Sequence, residues 1–371
     1  MDDWIVGWVD KWIHGWVIET CERCELLIPA LIQISTNPII QPAYPMSTIA
    51  LACQAMATRF EVVLHGEDPA RLRAAGEEAL QEVERLDALL SLYRPESEIS
   101  AVNRRAAEEA VRVSPTVFDL LQHARRLHEE TEGAFDITIA PLVECWGFRS
   151  GSGAVPAAAA LSEARSRVGF HLVHLDAAAS SVRFARGGVR LDLGAIGKGF
   201  AVERAAAILR EAGVTSAFLH GGTSTIYSLG HPPDADAWRV GIHSDPTRTG
   251  KLDLLKLNPA ATSGMVVPLK DEALSVSAVW GKSFASGGRR LGHVLDPRTG
   301  QPVQGAVLAA VVHPSATETD ALSTALLVGG AGAAAWVDRR KEMRWLRVLE
   351  REDGLEMRSR GISEREARPA A

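Results

Sequence analysis

Three short segments of the chain carry residue types that can bind and transfer phosphate. Asp192-Leu-Gly-Ala-Ile-Gly-Lys198-Gly-Phe200 sets an acidic residue, a glycine-bearing turn and a lysine at the start of a predicted helix. Such a turn presents free backbone N–H groups and a positive helix end, which suits a phosphate or pyrophosphate. It is not a P-loop, because Gly199 and Phe200 follow Lys198 where Ser or Thr is required. Gly turns before helices are usually only turns, so this segment alone is a weak signal.

In Thr319-Asp320-Ala-Leu-Ser-Thr324-Ala, Asp320 and Thr324 stand four residues apart, and a helix beginning here projects both oxygens on one face. A carboxylate plus a hydroxyl, with few other protein ligands, commonly holds Mg²⁺ beside a substrate phosphate. On spacing alone the plainer reading wins: Asp complements the helix dipole and Thr packs outward. Gly292-His293-Val-Leu-Asp296-Pro-Arg-Thr-Gly300 reads as a strand entering an Asx-type turn served by Asp296. His293 is less easily dismissed, although any one of the chain's eleven histidines is more often surface or satisfied core than catalytic.

Gly133-Ala-Phe-Asp136-Ile-Thr138-Ile-Ala-Pro141-Leu-Val-Glu-Cys-Trp146-Gly-Phe148, the stretch Tyr93 to Asn103 and Met56-Ala-Thr58 complete an ordered set. Each alone reads as loop and capping chemistry, but the six in this order resemble the ApbE family of Mg²⁺-dependent FAD:protein FMN transferases, over roughly Ala55 to Gly330. The resemblance implies a single duplicated α+β domain, T-fold-like, with a nucleotide cleft. It implies an FAD site lined by Met56, Tyr93, Ala134, Phe135, Asp136, Asp192, Lys198 and Leu295. Mg²⁺ would lie between the main-chain oxygen of Ala195 and the side chains of Asp320 and Thr324, and His293 matches a histidine implicated in transfer.

The expected activity follows from the resemblance. FAD, as substrate, would lose its FMN phosphoryl group to a threonine hydroxyl of a target flavoprotein, with release of AMP and His293 taking the threonine proton. The rivals are a Mg²⁺-dependent FAD pyrophosphatase and a flavin-binding protein without turnover. Two departures bear on target preference. Gly221-Gly222-Thr223-Ser224 stands where the family usually has Gly-Gly-Asp, and Ser275-Val-Ser277-Ala-Val-Trp280-Gly-Lys282 replaces a Thr-Ser-Gly followed by an aromatic residue and Arg. Phe200 also stands where the family often has Tyr.

The elements that must position these residues are partly readable. Phe60 to Leu64 predicts a strand, and Asp68-Pro69 predicts the capped start of an amphipathic helix running to about Leu90. Ser114-Pro115 opens a second helix with Val117, Leu120, Leu121, Ala124 and Leu127 inward, and Gly133 follows its end. Val182 to Phe184 and Val189 to Leu193 predict strands joined through Gly187-Gly188, ahead of a helix from about Lys198 to Ala212. Further short strands are predicted at Ser216 to Leu219, Trp238 to Ile242, His293 to Leu295 and Leu308 to Val312. The elements mix without a strict βαβ rhythm, so α+β is favoured over a doubly wound sheet.

Composition narrows the partners. With 40 Lys and Arg against 46 Asp and Glu, the formal charge of −6 offers no general attraction to nucleic acid. No apolar run reaches the roughly 18–20 residues of a membrane-spanning helix. Cys21, Cys24, Cys53 and Cys145 make a single C-x-x-C and read as loose reduced thiols. Residues 46–349 are expected to form the ApbE-like domain, with a charged, frayed tail at 350–371. Residues 1–45 form a Trp-rich extension with Trp4, Trp8, Trp12 and Trp16 on one helical face. They are read as untranslated sequence upstream of a start at Met46 or, second, as a partner-docking helix. Without a basic lead to either N-terminal stretch, a cytoplasmic location is expected, with a periplasmic or membrane-anchored one as the alternative.

Overall fold

The alternation that predicts a strand at Phe60 to Leu64 extends further in the computed structural model. This describes residues 46–149, 151, 153–242, 255–257, 265–279, 281–351 and 354–362. The Trp stripe, Cys21 and Cys24 lie outside the described residues. Strands β1 (Ser47–Ala55) and β2 (Thr58–Gly66) form an antiparallel hairpin closed by Met56 and Ala57. Both turn residues take the left-handed conformation, with φ of 51° and 57°. A two-residue hairpin turn demands that conformation, and without glycine it costs on the order of 1 kcal/mol per residue. The Met56 N–H donates to Asp87 at 2.9 Å, which helps hold the turn.

Helix α1 (Pro69–Leu90) starts as its cap signal predicts, with Asp68 accepting from the N–H groups of Ala70 and Arg71. Its buried face, from Leu72 through Leu90, packs on this hairpin. Helices α2 (Glu98–Arg105), α3 (Pro115–Glu130), α4 (Ala140–Cys145) and α5 (Ala158–Arg165) follow, with α2 and α3 capped by Ser97 and Ser114. A small sheet of β3 (Val111–Arg112), β5 (Ser181–Phe184) and β4 (Val173–Asp176) lies in this stretch. Then come α6 (Gly197–Glu211), α7 (Ala316–Gly329) and α8 (Ala334–Arg339).

The main sheet joins β1 and β2 to β6 (Ser216–Gly221), β7 (Thr225–Leu229), β11 (Ala273–Ala278), β14 (Ala306–His313), β15 (Arg344–Arg351) and β16 (Gly354–Arg360), in that order and antiparallel throughout. One face buries α1, α6 and α7 in a core that includes Leu64, Leu86, Leu209, Val311 and Leu322. The opposite face, with Phe218, Leu274, Leu308 and Val348, meets a second sheet of β10 (Met265–Leu269), β8 (Trp238–Ile242) and β9 (Leu255–Leu257). Strand β14 is covered on both faces, which is why its run of Ala, Val and Leu shows no alternation. A hairpin of β12 (Ser283–Ser286) and β13 (Arg289–Gly292) leads to His293, and Leu295 joins Leu142, Trp146 and Phe148 in a third cluster. The expected α+β domain is thus found, without a closed barrel.

Four expectations are corrected. Residues 189–193 do not form a strand, because the Asn103 side chain, rather than a neighbouring strand, takes the N–H and C=O of Leu191. Residues 293–295 form only an isolated bridge, Leu295 with Pro302. Helix α7 begins at Ala316 under a Ser315 cap, so Asp320 stands in its second turn rather than at its start. Within the expected frayed tail, residues 354–360 instead form β16, which pairs with β15 as an edge strand, and main-chain pairing tolerates its charged sequence. Among the described residues no helix is long and apolar enough to cross a membrane, and Cys53 and Cys145 are free.

Candidate active site

The centre of the site is a crossing of two helices. The N-cap of α6 is Ile196, whose side chain makes no capping bond. An orphan N–H of that first turn, that of Gly199, instead donates at 2.9 Å to Asp320 of α7. Glycine is required at 199, since a Cβ there would lie 2.7 Å from the Asp320 Cβ and collide with the Ala316 carbonyl. Asp320 is 4% exposed, and its other oxygen accepts from the Thr225 hydroxyl at 3.3 Å. The Lys198 ammonium lies 3.8 Å from that same oxygen and donates at 3.1 Å to the Gly194 carbonyl, which brings the loop carrying Ala195 beside Asp320.

One helical turn on, the Thr324 hydroxyl meets the Ser277 hydroxyl at 3.0 Å, and Ser277 also bonds Ser323 at 2.8 Å. Thr225 and Ser277 come from adjacent strands β7 and β11, so the sheet lines this face of α7 with hydroxyls. Among the described residues no three His, Cys, Asp or Glu side chains gather as a metal cluster. The donor set here is one carboxylate, neighbouring hydroxyls and loop carbonyls. Hard oxygens with a single negative charge fit Mg²⁺, which keeps much of its own water.

Asp192 precedes this loop. Its N–H donates to the Ile137 carbonyl at 2.7 Å, which ties the segment after Asp136 to the site. Its carboxylate accepts from the Gly194 N–H at 2.8 Å. Burial pushes the Asp192 pKa up, against that bond and the positive charges of Arg149 and Lys198. The Arg149 guanidinium also lies 5.5 Å from the centre of the Tyr93 ring, which is 67% exposed. Met56 and Tyr93 belong to one neighbourhood through Asp87, which accepts from the Met56 N–H and pairs at 2.7 Å with Arg94, the residue after Tyr93.

Other candidate residues are held differently. Ala134, Phe135 and Leu295 are 1%, 2% and 5% exposed, so their side chains are core and only their main chain is left to meet a ligand. The Asp136 carboxylate is committed to the Thr138 N–H and hydroxyl, at 2.8 and 2.7 Å, and lies 3.2 Å from His128. Burial disfavours the His128 cation, but the bond to Asp136 and its charge outweigh that and raise the His128 pKa. A cavity of about 430 Å³ opens beside Asp136, Gly133 and Arg298, and its lining takes in neither Lys198 nor Asp320.

His293 is half-buried, its Nδ1 has no hydrogen-bond partner, and its main-chain N–H donates to the Lys282 carbonyl. Burial pushes its pKa down, as do the charges of Lys282 and Lys198, against the bond to the Lys282 main chain. The ring is therefore neutral at pH 7 and able to accept a proton. Asp87, Arg149 and Thr225 lie beside these candidates and escaped the sequence reading, while Ser277 entered it only within a departure from the family pattern. Asp87 carried a signal, as an acid between Leu86 and Leu90 on the inward face of α1, and so did Arg149, directly after the Trp146-Gly-Phe148 motif.

Comparison with known proteins bears on the family and the fold. The sequence model of the ApbE family matches residues 56–346. A FAD:protein FMN transferase of Klebsiella pneumoniae (strain 342) is 28% identical over 341 residues, covering 90% of this chain and 93% of that protein. The FAD:protein FMN transferase of Treponema pallidum (strain Nichols) is 32% identical over 290 residues, covering 74% and 77%. Among solved structures, the apo form of the Pseudomonas stutzeri flavinyl transferase ApbE superposes with a TM-score of 0.72 at 28% identity, over 85% of this chain and 95% of that one. The flavin transferase ApbE from Vibrio cholerae gives 0.71 at 23% identity, over 85% and 98%. The chain belongs to the ApbE family.

Proposed function

We propose that this transferase moves the FMN phosphoryl group of FAD onto a threonine hydroxyl of a target flavoprotein and releases AMP. The observation that carries the reading is the meeting of the α6 N-terminus, Lys198 and the buried Asp320 carboxylate at one point. A helix N-terminus and a lysine supply positive potential for a pyrophosphate, while the carboxylate and hydroxyls offer hard ligands for a cation beside it. The names of the relatives support transfer of FMN from FAD to a protein.

In the proposed step, the threonine oxygen forms a bond to the phosphorus of the FMN half, and the bond from that phosphorus to the AMP oxygen breaks. Mg²⁺ bound by the Ala195 carbonyl, Asp320 and Thr324 would supply charge neutralisation to the pyrophosphate. Lys198 and the first turn of α6 orient the phosphates. Neutral His293 accepts the threonine proton. Met56, the exposed Tyr93 ring, Asp192 and the main chain of 134–136 and Leu295 bound the rest of the FAD site, and a flat ring stacks on an open aromatic face such as that of Tyr93.

Incubation with FAD and Mg²⁺, with and without a threonine-bearing acceptor peptide, tests the proposal. AMP released only with acceptor, together with covalently flavinylated peptide, supports transfer. AMP released without acceptor makes the protein an FAD pyrophosphatase, and no AMP in either arm makes it a flavin binder.

A further inference from the structure

Helices α6 and α7 cap each other. Asp320 of α7 takes the Gly199 N–H of α6, as described above, and Glu203 of α6 returns the interaction. The Glu203 carboxylate accepts from the Ser315 hydroxyl at 2.7 Å and from the Thr317 N–H at 2.8 Å. Ser315 is itself the α7 N-cap and accepts from the Glu318 N–H at 3.2 Å. Glu203 therefore fixes both the cap residue and one of the orphan donors of α7, and adds a negative charge at the positive end of that helix. It sits one helical turn after Gly199, on the helix whose first turn carries Lys198.

We propose that Glu203 is a positioning residue for the metal-binding groups. It holds α7 against α6 so that the Asp320 and Thr324 oxygens stand in register with the loop carrying Ala195. The proposal rests on the metal reading of that site. Glu203 touches neither FAD nor cation; it acts through the α7 main chain, in the way that outer partners of metal ligands tune affinity by their geometry.

The probe is Mn²⁺, titrated by electron paramagnetic resonance on the full chain without FAD. Glu203→Ala removes the oxygen that accepts both bonds and is expected to weaken Mn²⁺ binding by roughly 10- to 100-fold. Glu203→Gln keeps an acceptor oxygen and is expected to bind within about 3-fold of the wild type. With FAD and acceptor, the Ala variant should show a raised apparent KM for Mg²⁺, with kcat recovered at saturating Mg²⁺. Ser114→Ala, which removes the α3 cap far along the chain from these residues, should lower stability but leave Mn²⁺ affinity alone. If Glu203→Ala does not fold, Glu203→Asp, one methylene too short to hold both donors, replaces it. Wild-type affinity in the Ala variant, no rescue by Gln, or an equal loss in Ser114→Ala would each overturn the positioning role. A wild-type chain that binds no Mn²⁺ would instead remove the metal reading itself, and this proposal with it.

Discussion

Glu318 and Asp320 stand two residues apart in α7, at 7% and 4% exposure, in opposite surroundings. Glu318 receives Arg126 at 2.5 Å, Arg340 in close contact, and His123 at 3.3 Å. Burial alone would raise its pKa, yet those partners hold it well below the usual carboxylate range. Asp320 is met by one backbone N–H and one hydroxyl, with the Lys198 ammonium 3.8 Å away. A buried charge must be compensated. Glu318 is saturated by fixed cations, and its network ties α7 to α3 and to Arg340 after α8, neither of which carries a site residue. Asp320 is left short of positive charge at the face where a pyrophosphate and its cation are proposed to bind. Saturation fits a structural carboxylate, and under-compensation fits the metal-binding role proposed for Asp320.

The contrast is most directly broken by Asp320→Ala. The variant should lose Mg²⁺-dependent AMP release while its melting temperature moves by less than about 4 °C. Near-normal turnover at ordinary Mg²⁺ would end the metal assignment. His293→Ala extends the test to a neutral group: FMN transfer should slow by roughly 10²- to 10⁴-fold with FAD affinity retained. Because burial holds the His293 pKa below 6.5, the wild-type rate should begin to fall only below that pH, as the ring protonates. A pH–rate profile of the variant should lack this acid limb, and an equal loss of binding and rate would strike His293 from the mechanism.

Glu318→Gln sharpens the comparison from the other side. It should cost roughly 3 kcal/mol in denaturant unfolding, because the Arg340 and Arg126 guanidinium groups lose their charged partner. Mn²⁺ affinity per folded molecule should stay unchanged. The smallest effect is expected at Glu61, a second saturated carboxylate, bonded to His220 at 2.9 Å and to Arg59. Its pKa is lowered from 4.5 to about 2, chiefly by the His220 bond. A depressed acid stabilises the fold above its unfolded pKa, so this contribution is present above about pH 4.5 and is lost as pH falls toward 2. Glu61→Gln should flatten that part of the stability profile, and an unchanged slope would show the pair to be idle.

The site was legible in proportion to how local its causes are. Asp320 and Thr324 could be paired by their spacing along one helix and Lys198 by its place after a glycine-bearing turn, and the ordered resemblance to the family joined the two segments. Thr225 and Ser277 were not grouped with them, because only the pairing of β7 with β11 turns these two hydroxyls toward α7. Ala134, Phe135 and Leu295 were matched by order along the chain, which says nothing of whether a side chain faces a ligand or the core.

The sequence by itself determined the caps and the faces they lead into. Asp68-Pro69 and Ser114-Pro115 start helices because the capping oxygen lies within three residues of the N–H it takes, so no distant partner is needed. The tertiary structure decided what depends on pairs far apart in the chain. Asn103 satisfies Leu191 across 88 residues and cancels a predicted strand, and Asp320 reaches Gly199 across 121. A buried polar group takes whichever partner the packing of the sheet and helices brings within reach, and hydrogen-bond geometry discriminates on a scale of tenths of an ångström. No periodicity in the chain encodes that distance, so the contact of Asp320 with the first turn of α6 is a product of how α6 packs on α7.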